Sequence, residues 1–175
     1  MNNSYETIQK AQRGDKEAYG ELYKEYHSRI YRYCKVNIYR DDLAQDLSQE
    51  TFIRAWKALP TFEQRKDGTF QAYLFRIARN LIIDLSRKRK EFTLEQYAEL
   101  ETDEDFTDQI DKKDELRKVK TALSKLEEID RQIIVLRYFE EMSHKECAKV
   151  IGIKEGALRV RTMRVLKKMK DLIQE

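Results

Sequence analysis

The sequence predicts an all-α chain of two small helical domains joined by an acidic flexible linker. Five Gly and one Pro in 175 residues leave few interruptions to helix, and Leu, Ile, Glu, Lys and Arg are abundant. Apolar residues recur at helical spacing along most of the chain. Charge falls into three blocks. Residues 1–90 carry 18 Lys and Arg against 12 Asp and Glu, residues 91–115 carry 2 against 11, and residues 116–175 carry 15 against 9. A net charge of +3 therefore conceals local values of +6, −9 and +6. These blocks set the expected boundaries: an N-terminal domain over 1–90, a linker over 91–115 and a C-terminal domain over 116–175. Two basic blocks suit a polyanionic partner, although Lys- and Arg-rich helices also occur without one.

In chain order, Tyr5 to Arg13 predicts a short helix ended by Gly14. Asp15 caps a longer helix to about Ile38, with Ala18, Tyr19, Leu22, Tyr23, Tyr26, Ile30, Tyr33 and Cys34 on its apolar side. Asp41 and Asp42 open the next helix, at the positive end of its dipole, and it ends near Leu59 before Pro60. At about 100° per residue, Leu43, Ala44, Leu47, Thr51, Phe52 and Ala55 turn inward. The opposite face holds Asp42, Asp46, Gln49, Glu50 and, out of place among them, Ile53. That face is either an ordinary wet surface with one stray apolar residue or a dock for a basic helical partner.

Residues 60–69 form a loop, either a plain connector or one that presents Phe62 to a ligand. Phe70 to about Lys90 is helical, with Phe70, Leu74, Ile77, Ala78, Leu81 and Leu85 buried. Arg76, Arg79, Asn80, Ile83, Arg87 and Lys90 lie opposite, and the helix ends in the run Arg87-Lys88-Arg89-Lys90. Such a stripe suits a nucleic-acid backbone or water equally. Residues 91–115 read as an extended tether with a helical turn around Leu94 to Leu100. Leu116, Val119, Leu123 and Leu126 mark a further helix, and Asp130 is expected to cap the one after it. Ser143-His144-Lys145-Glu146 is a capping box. Gly152 then turns the chain into a final helix, so the segment has helix-turn-helix spacing. On that last helix Leu158, Thr162, Val165, Leu166, Met169, Leu172 and Ile173 pack inward. Arg159, Val160, Met163, Arg164 and Lys167 face out, with Arg161 on the flank. Exposed Val160 and Met163 among cations suit a DNA major groove, where apolar atoms meet thymine methyls.

No apolar run approaches the roughly 20 residues that span a bilayer, and the N-terminus lacks the apolar core of a signal peptide. A cytoplasmic location is expected. Cys34 and Cys147 read as reduced, partly buried thiols. With His27 and His144 they make no metal-ligand spacing. Without a Gly-rich phosphate loop or a nucleophile–base pair, no catalytic residue, metal or cofactor is assigned and no enzyme is expected.

Three segments together resemble the extracytoplasmic-function sigma factors, the small two-domain initiation factors of bacterial RNA polymerase. DDLAQDLSQETFIRAW is similar to the family's D-x-x-Q-E-x-F-x-x-x-W segment. FQAYLFRIARNLIIDLSRKRK is similar to its F-x-x-W-L-x-x-I-A-x-N-x-x-x-D-x-x-R helix. Residues 126–170 are similar to its C-terminal module. The resemblance implies binding to core RNA polymerase and reading of promoter DNA at −10 and −35 elements. It assigns Asp46, Gln49 and Glu50 to the polymerase, with Asp42 and Ile53 on the same face. It assigns the loop with Phe62 to capture of a flipped −10 base, and Arg76, Arg79, Asn80, Asp84 and Arg87, with Lys88 beside them, to the −10 region. Arg159, Val160, Met163 and Arg164 fall at the −35 element, with Arg161 on their flank and Lys154 near a phosphate. It also implies an anti-sigma partner, often membrane-bound. Tyr73 stands where the family often has Trp, and Ala157-Leu158 where it often has Thr-Val. A helix-turn-helix regulator that does not join the polymerase is the alternative; it leaves the acidic face of residues 42–56 unexplained.

Overall fold

The computed structural model describes residues 3–64, 68–92 and 110–174. Among these residues there are eight α-helices and no strand, as the low Gly and Pro content predicted. Contacts divide the chain into two units, residues 1–100 and 101–175.

The first unit contains α1 (Asn3–Gln12), α2 (Lys16–Ile38), α3 (Asp41–Ala58) and α4 (Phe70–Phe92). Gly14 supplies the positive φ of 91° that ends the first helical segment. Asp15 caps α2, its carboxylate accepting from the Glu17 and Ala18 amides at 2.9 and 3.1 Å. α3 ends at Ala58, before Pro60 as expected, and a 3₁₀ turn over Leu59–Thr61 follows, with the proline in its first positions, where it breaks no hydrogen bond. Gln12 ties α1 to this turn by donating to the Leu59 and Phe62 carbonyls.

The core lies where α2, α3 and α4 meet, with Leu22, Ile30, Tyr33, Ala44, Phe52, Leu74, Phe75 and Ala78 buried. The Tyr33 and Phe75 rings meet edge-on at 5.1 Å between centroids. Several expected core positions move: Tyr19, Leu43, Ile77 and Leu85 are half-buried. Tyr23 is partly exposed rather than inward, and Leu47 is half-buried while its neighbour Ser48 takes the fully buried place. Burial of a serine gives no apolar signal in the sequence.

The second unit contains α5 (Ile110–Ser124), α6 (Glu128–Ile134), a wide π turn (Val135–Phe139), α7 (His144–Ile151) and α8 (Glu155–Gln174). α4 reaches Phe92 and α5 begins at Ile110, so both helices run into the stretch expected to be linker. The turn expected around Leu94 to Leu100 lies outside the described residues. Leu116, one of the apolar residues that mark this helix, is exposed, although it lies two turns before the buried Leu123 on the same side of α5. Asp130 does not cap a helix: α6 starts two residues earlier, after Glu127. The Ser143–Glu146 capping box forms as expected, and Gly152 ends α7 at φ 80°. The core here is Leu126, Ile133, Ile134, Leu136, Met142, Cys147, Ile151, Leu158 and Val165.

Cys34 and Cys147 are both buried free thiols. Burial alone pushes Cys34 up to about 12, and burial likewise dominates at Cys147, also about 12, so neither is a thiolate at neutral pH. Replacing Asp15 by Ala removes the cap that anchors α2 and should cost about 1 kcal/mol of stability. Chemical denaturation checks this: the unfolding midpoint should fall with an unchanged slope.

Candidate functional site

Three surfaces take shape once the stripes are buried. On α3, Asp46 and Gln49 are exposed and Glu50 is partly exposed, bonded to Arg54 at 2.7 Å. Asp42 pairs with Arg40 at 2.5 Å. Asp41 accepts from Lys35 at 2.7 Å and from the Tyr31 hydroxyl. The Lys35 bond first, then that of Tyr31, holds the Asp41 carboxyl below its ordinary value, and Arg40 does the same for Asp42. What the Asp41 contacts contribute to stability is present above the ordinary carboxylate value and is lost as pH falls through the lowered one. The start of α3 therefore stays anionic at neutral pH.

Ile53 is 48% exposed and is not a stray residue. It forms one wall of an open groove with Tyr19, Tyr23, Gln49, Phe52 and Trp56, and Lys16 and Lys57 also line it. The Tyr19 and Trp56 rings approach to 4.7 Å between centroids, as do Tyr23 and Phe52. Sequence reasoning placed the tyrosines in the core. Their spacing of four residues on α2 puts them on one face, but nothing local says that α3 leaves that face half open.

The second surface is α4. Asn80, Asp84, Arg87 and Lys88 are exposed, and Arg76 and Arg79 are half-buried. The Arg76 guanidinium lies 5.9 Å from the centre of the Tyr73 ring. Phe62 differs from its expected place. It is only 6% exposed and packs against Phe70 and Tyr73, with ring centroids at 5.9 and 4.8 Å. Tyr73 is buried too. These aromatics close the end of the core instead of offering a stacking face. Residues 65–67 of the same loop lie outside the described residues.

The third surface is α8. Leu158, Thr162, Val165 and Met169 are buried, whereas Leu166, expected with them, is exposed. Lys154, Arg159 and Arg164 are exposed, and Val160 and Met163 are 51% and 72% exposed. Arg159 bonds Glu155 one turn back at 2.6 Å. Arg161 lies on the flank, as expected, and there its Nε donates to Asp130 of α6 at 2.6 Å. His144 at the start of α7 has its pKa lowered by burial first and then by Arg137 and Arg159, so it is neutral at pH 7.

Known proteins share this arrangement. The sigma-70 region 2 model matches residues 22–92, which hold α3 and α4, and the sigma-70 region 4 model matches residues 116–169, which hold the helix-turn-helix. The RNA polymerase sigma factor NccH of Alcaligenes xylosoxydans xylosoxydans is 30% identical, over 94% of this chain and 91% of that protein. The chain belongs to the extracytoplasmic-function RNA polymerase sigma factors. The ECF sigma factor BldN of Streptomyces coelicolor is 31% identical over 97% of this chain, which spans 66% of the length of BldN. The structure of the sigma factor CnrH in complex with the cytosolic domain of CnrY superposes with a TM-score of 0.75 at 27% identity, covering 99% of this chain and 98% of that one. As a sigma factor the chain directs RNA polymerase to specific promoters.

In this sigma factor Phe62 belongs to the core of its unit. Phe62→Ala should therefore lower the unit's stability by about 3–5 kcal/mol, measured by denaturant unfolding. Unchanged stability with lost promoter melting would return Phe62 to the DNA.

Proposed function

We propose that the acidic face of α3 docks this sigma factor on core RNA polymerase while α4 and α8 hold the promoter. The separation of charge carries this reading. Asp42, Asp46 and Glu50 would repel phosphate, so the α3 face suits a protein partner. Ile53 and the adjoining aromatic groove supply the apolar area that a protein interface buries at its centre. Arg76, Arg79, Asn80, Asp84, Arg87 and Lys88 on α4 meet the −10 region. On α8, Arg159, Val160, Met163 and Arg164 enter the major groove at the −35 element, and Lys154 lies where the helix start meets a phosphate. Each contact alone is weak and salt-dependent; joining the two units by a linker raises the effective concentration of the second.

The chain works without chemistry of its own, as a specificity subunit rather than an enzyme. No helix among the described residues is long and apolar enough to cross a membrane, and the proposed site of action is the chromosome in the cytoplasm. CnrH has been solved with the cytosolic domain of CnrY. An anti-sigma partner, membrane-bound or not, that covers the same exposed surfaces is the matching proposal here.

Charge reversal at Asp46 and Glu50 tests the dock. The double variant should bind core polymerase at least tenfold more weakly in a titration, with its helix content and thermal unfolding unchanged. Unchanged affinity would remove α3 from the interface. Arg164→Ala should cost about 1–3 kcal/mol at promoters with the preferred −35 sequence and little elsewhere. A loss spread evenly over all sequences would make Arg164 a phosphate contact instead.

A further inference from the structure

We infer that Asp130 is a positioning residue that sets the roll of α8 through Arg161, and so determines which side chains that helix shows to DNA. The inference rests on α8 being the promoter-reading helix. α8 is held to its unit by Leu158, Thr162, Val165 and Met169, all buried along one line. Apolar contact of this kind is strong but non-directional. It fixes where the helix lies better than how far it is rotated about its own axis. A roll of about 20° moves an atom about 6 Å from the axis by about 2 Å. That is enough to lose a hydrogen bond to a base edge.

The directional restraint is the ion pair on the flank. Arg161 Nε donates to Asp130 Oδ1 at 2.6 Å, and its terminal nitrogen lies 3.5 Å from Glu127. The Asp130 side chain is only 13% exposed, whereas that of Glu127 is 75% exposed. Asp130 is therefore the partner shielded from water, and the charge-assisted bond to it is short and angularly demanding. It is also firmly mounted. The turns that follow it, Arg131 to Leu136, are buried throughout. Arg161 directly follows Val160 and stands three residues before Arg164, so any slip at Arg161 is transmitted to the reading face.

The pair has a second consequence. Arg161, Arg164 and Lys168 line the same shallow groove as Asp130, beside Gly156 and Ala157. With Asp130 in place, the Arg161 guanidinium is held back from phosphate. Without it, a third cation joins Arg164 and Lys168 on a surface next to DNA. Loss of Asp130 should therefore lower sequence discrimination and raise sequence-independent binding at once. A residue that merely stabilised the fold would lower both.

The experiment uses holoenzyme assembled with core RNA polymerase. Binding to a promoter and to the same fragment with a scrambled −35 element is titrated at several salt concentrations. Asp130→Ala should reduce the ratio of the two affinities about tenfold, keep or raise binding to the scrambled fragment, and steepen its salt dependence by about one counterion. The charge exchange Asp130→Arg with Arg161→Asp should restore most of the ratio. An unchanged ratio, or a parallel loss on both fragments that the exchange does not rescue, overturns the role of Asp130. A wild-type holoenzyme that does not discriminate the two fragments overturns the promoter reading of α8, and this role with it.

Discussion

α2, α3 and α8 each bury one apolar side and leave the rest to water or a partner, whereas α4 is buried nearly all round over residues 72–75; both units depend on that burial. In the first unit the stripes of α2, α3 and α4 close on Leu22, Tyr33, Phe52, Leu74 and Phe75. In the second, Leu158, Thr162 and Val165 of α8 close on the same core as Ile133, Leu136 and Cys147. A fully buried aliphatic or aromatic side chain contributes roughly 1.5–3 kcal/mol. The pattern of a few such residues per helix therefore decides which way every other residue points. Function occupies the faces that are left over.

Against that background, the apolar residues that stay outside are informative. Ile53 stands among carboxylates and amides beside an aromatic groove, and Val160 and Met163 stand among arginines. The surrounding charge separates the two cases. A carboxylate-rich face has no use for phosphate, whereas cations with exposed apolar atoms suit a groove that presents both phosphates and thymine methyls. Under the proposed reading, the carboxylate-rich face of α3 serves a protein and the cationic face of α8 serves DNA. Charge at the start of α3 is fixed by its neighbours: Lys35 and Tyr31 hold Asp41, and Arg40 holds Asp42.

Much of this was readable from local pattern. The Asp15 cap, the Ser143–Glu146 capping box, the Gly152 turn and the outward set Arg159, Val160, Met163 and Arg164 all follow from residues within one or two helical turns of each other. What the pattern missed depends on partners distant in sequence. Phe62 looked presentable because its loop is polar, yet Phe70 and Tyr73 enclose it. Arg161 reads as a flank residue, but its partner Asp130, 31 residues earlier, has no local signal. Ser48 is buried and Leu116 exposed, against the polarity of their side chains. Helical periodicity identifies which face of a helix is apolar. It does not say where the next helix stops covering it.

The central claim is that one chain couples a polymerase dock to promoter-reading helices. Run-off transcription on genomic DNA with purified core polymerase, followed by sequencing of transcript starts, tests it most directly. The account predicts starts that appear only when the chain is added and that share two sequence elements upstream. The same starts as core enzyme alone, together with tight DNA binding by the free chain, would contradict it and leave a helix-turn-helix regulator that does not join the polymerase.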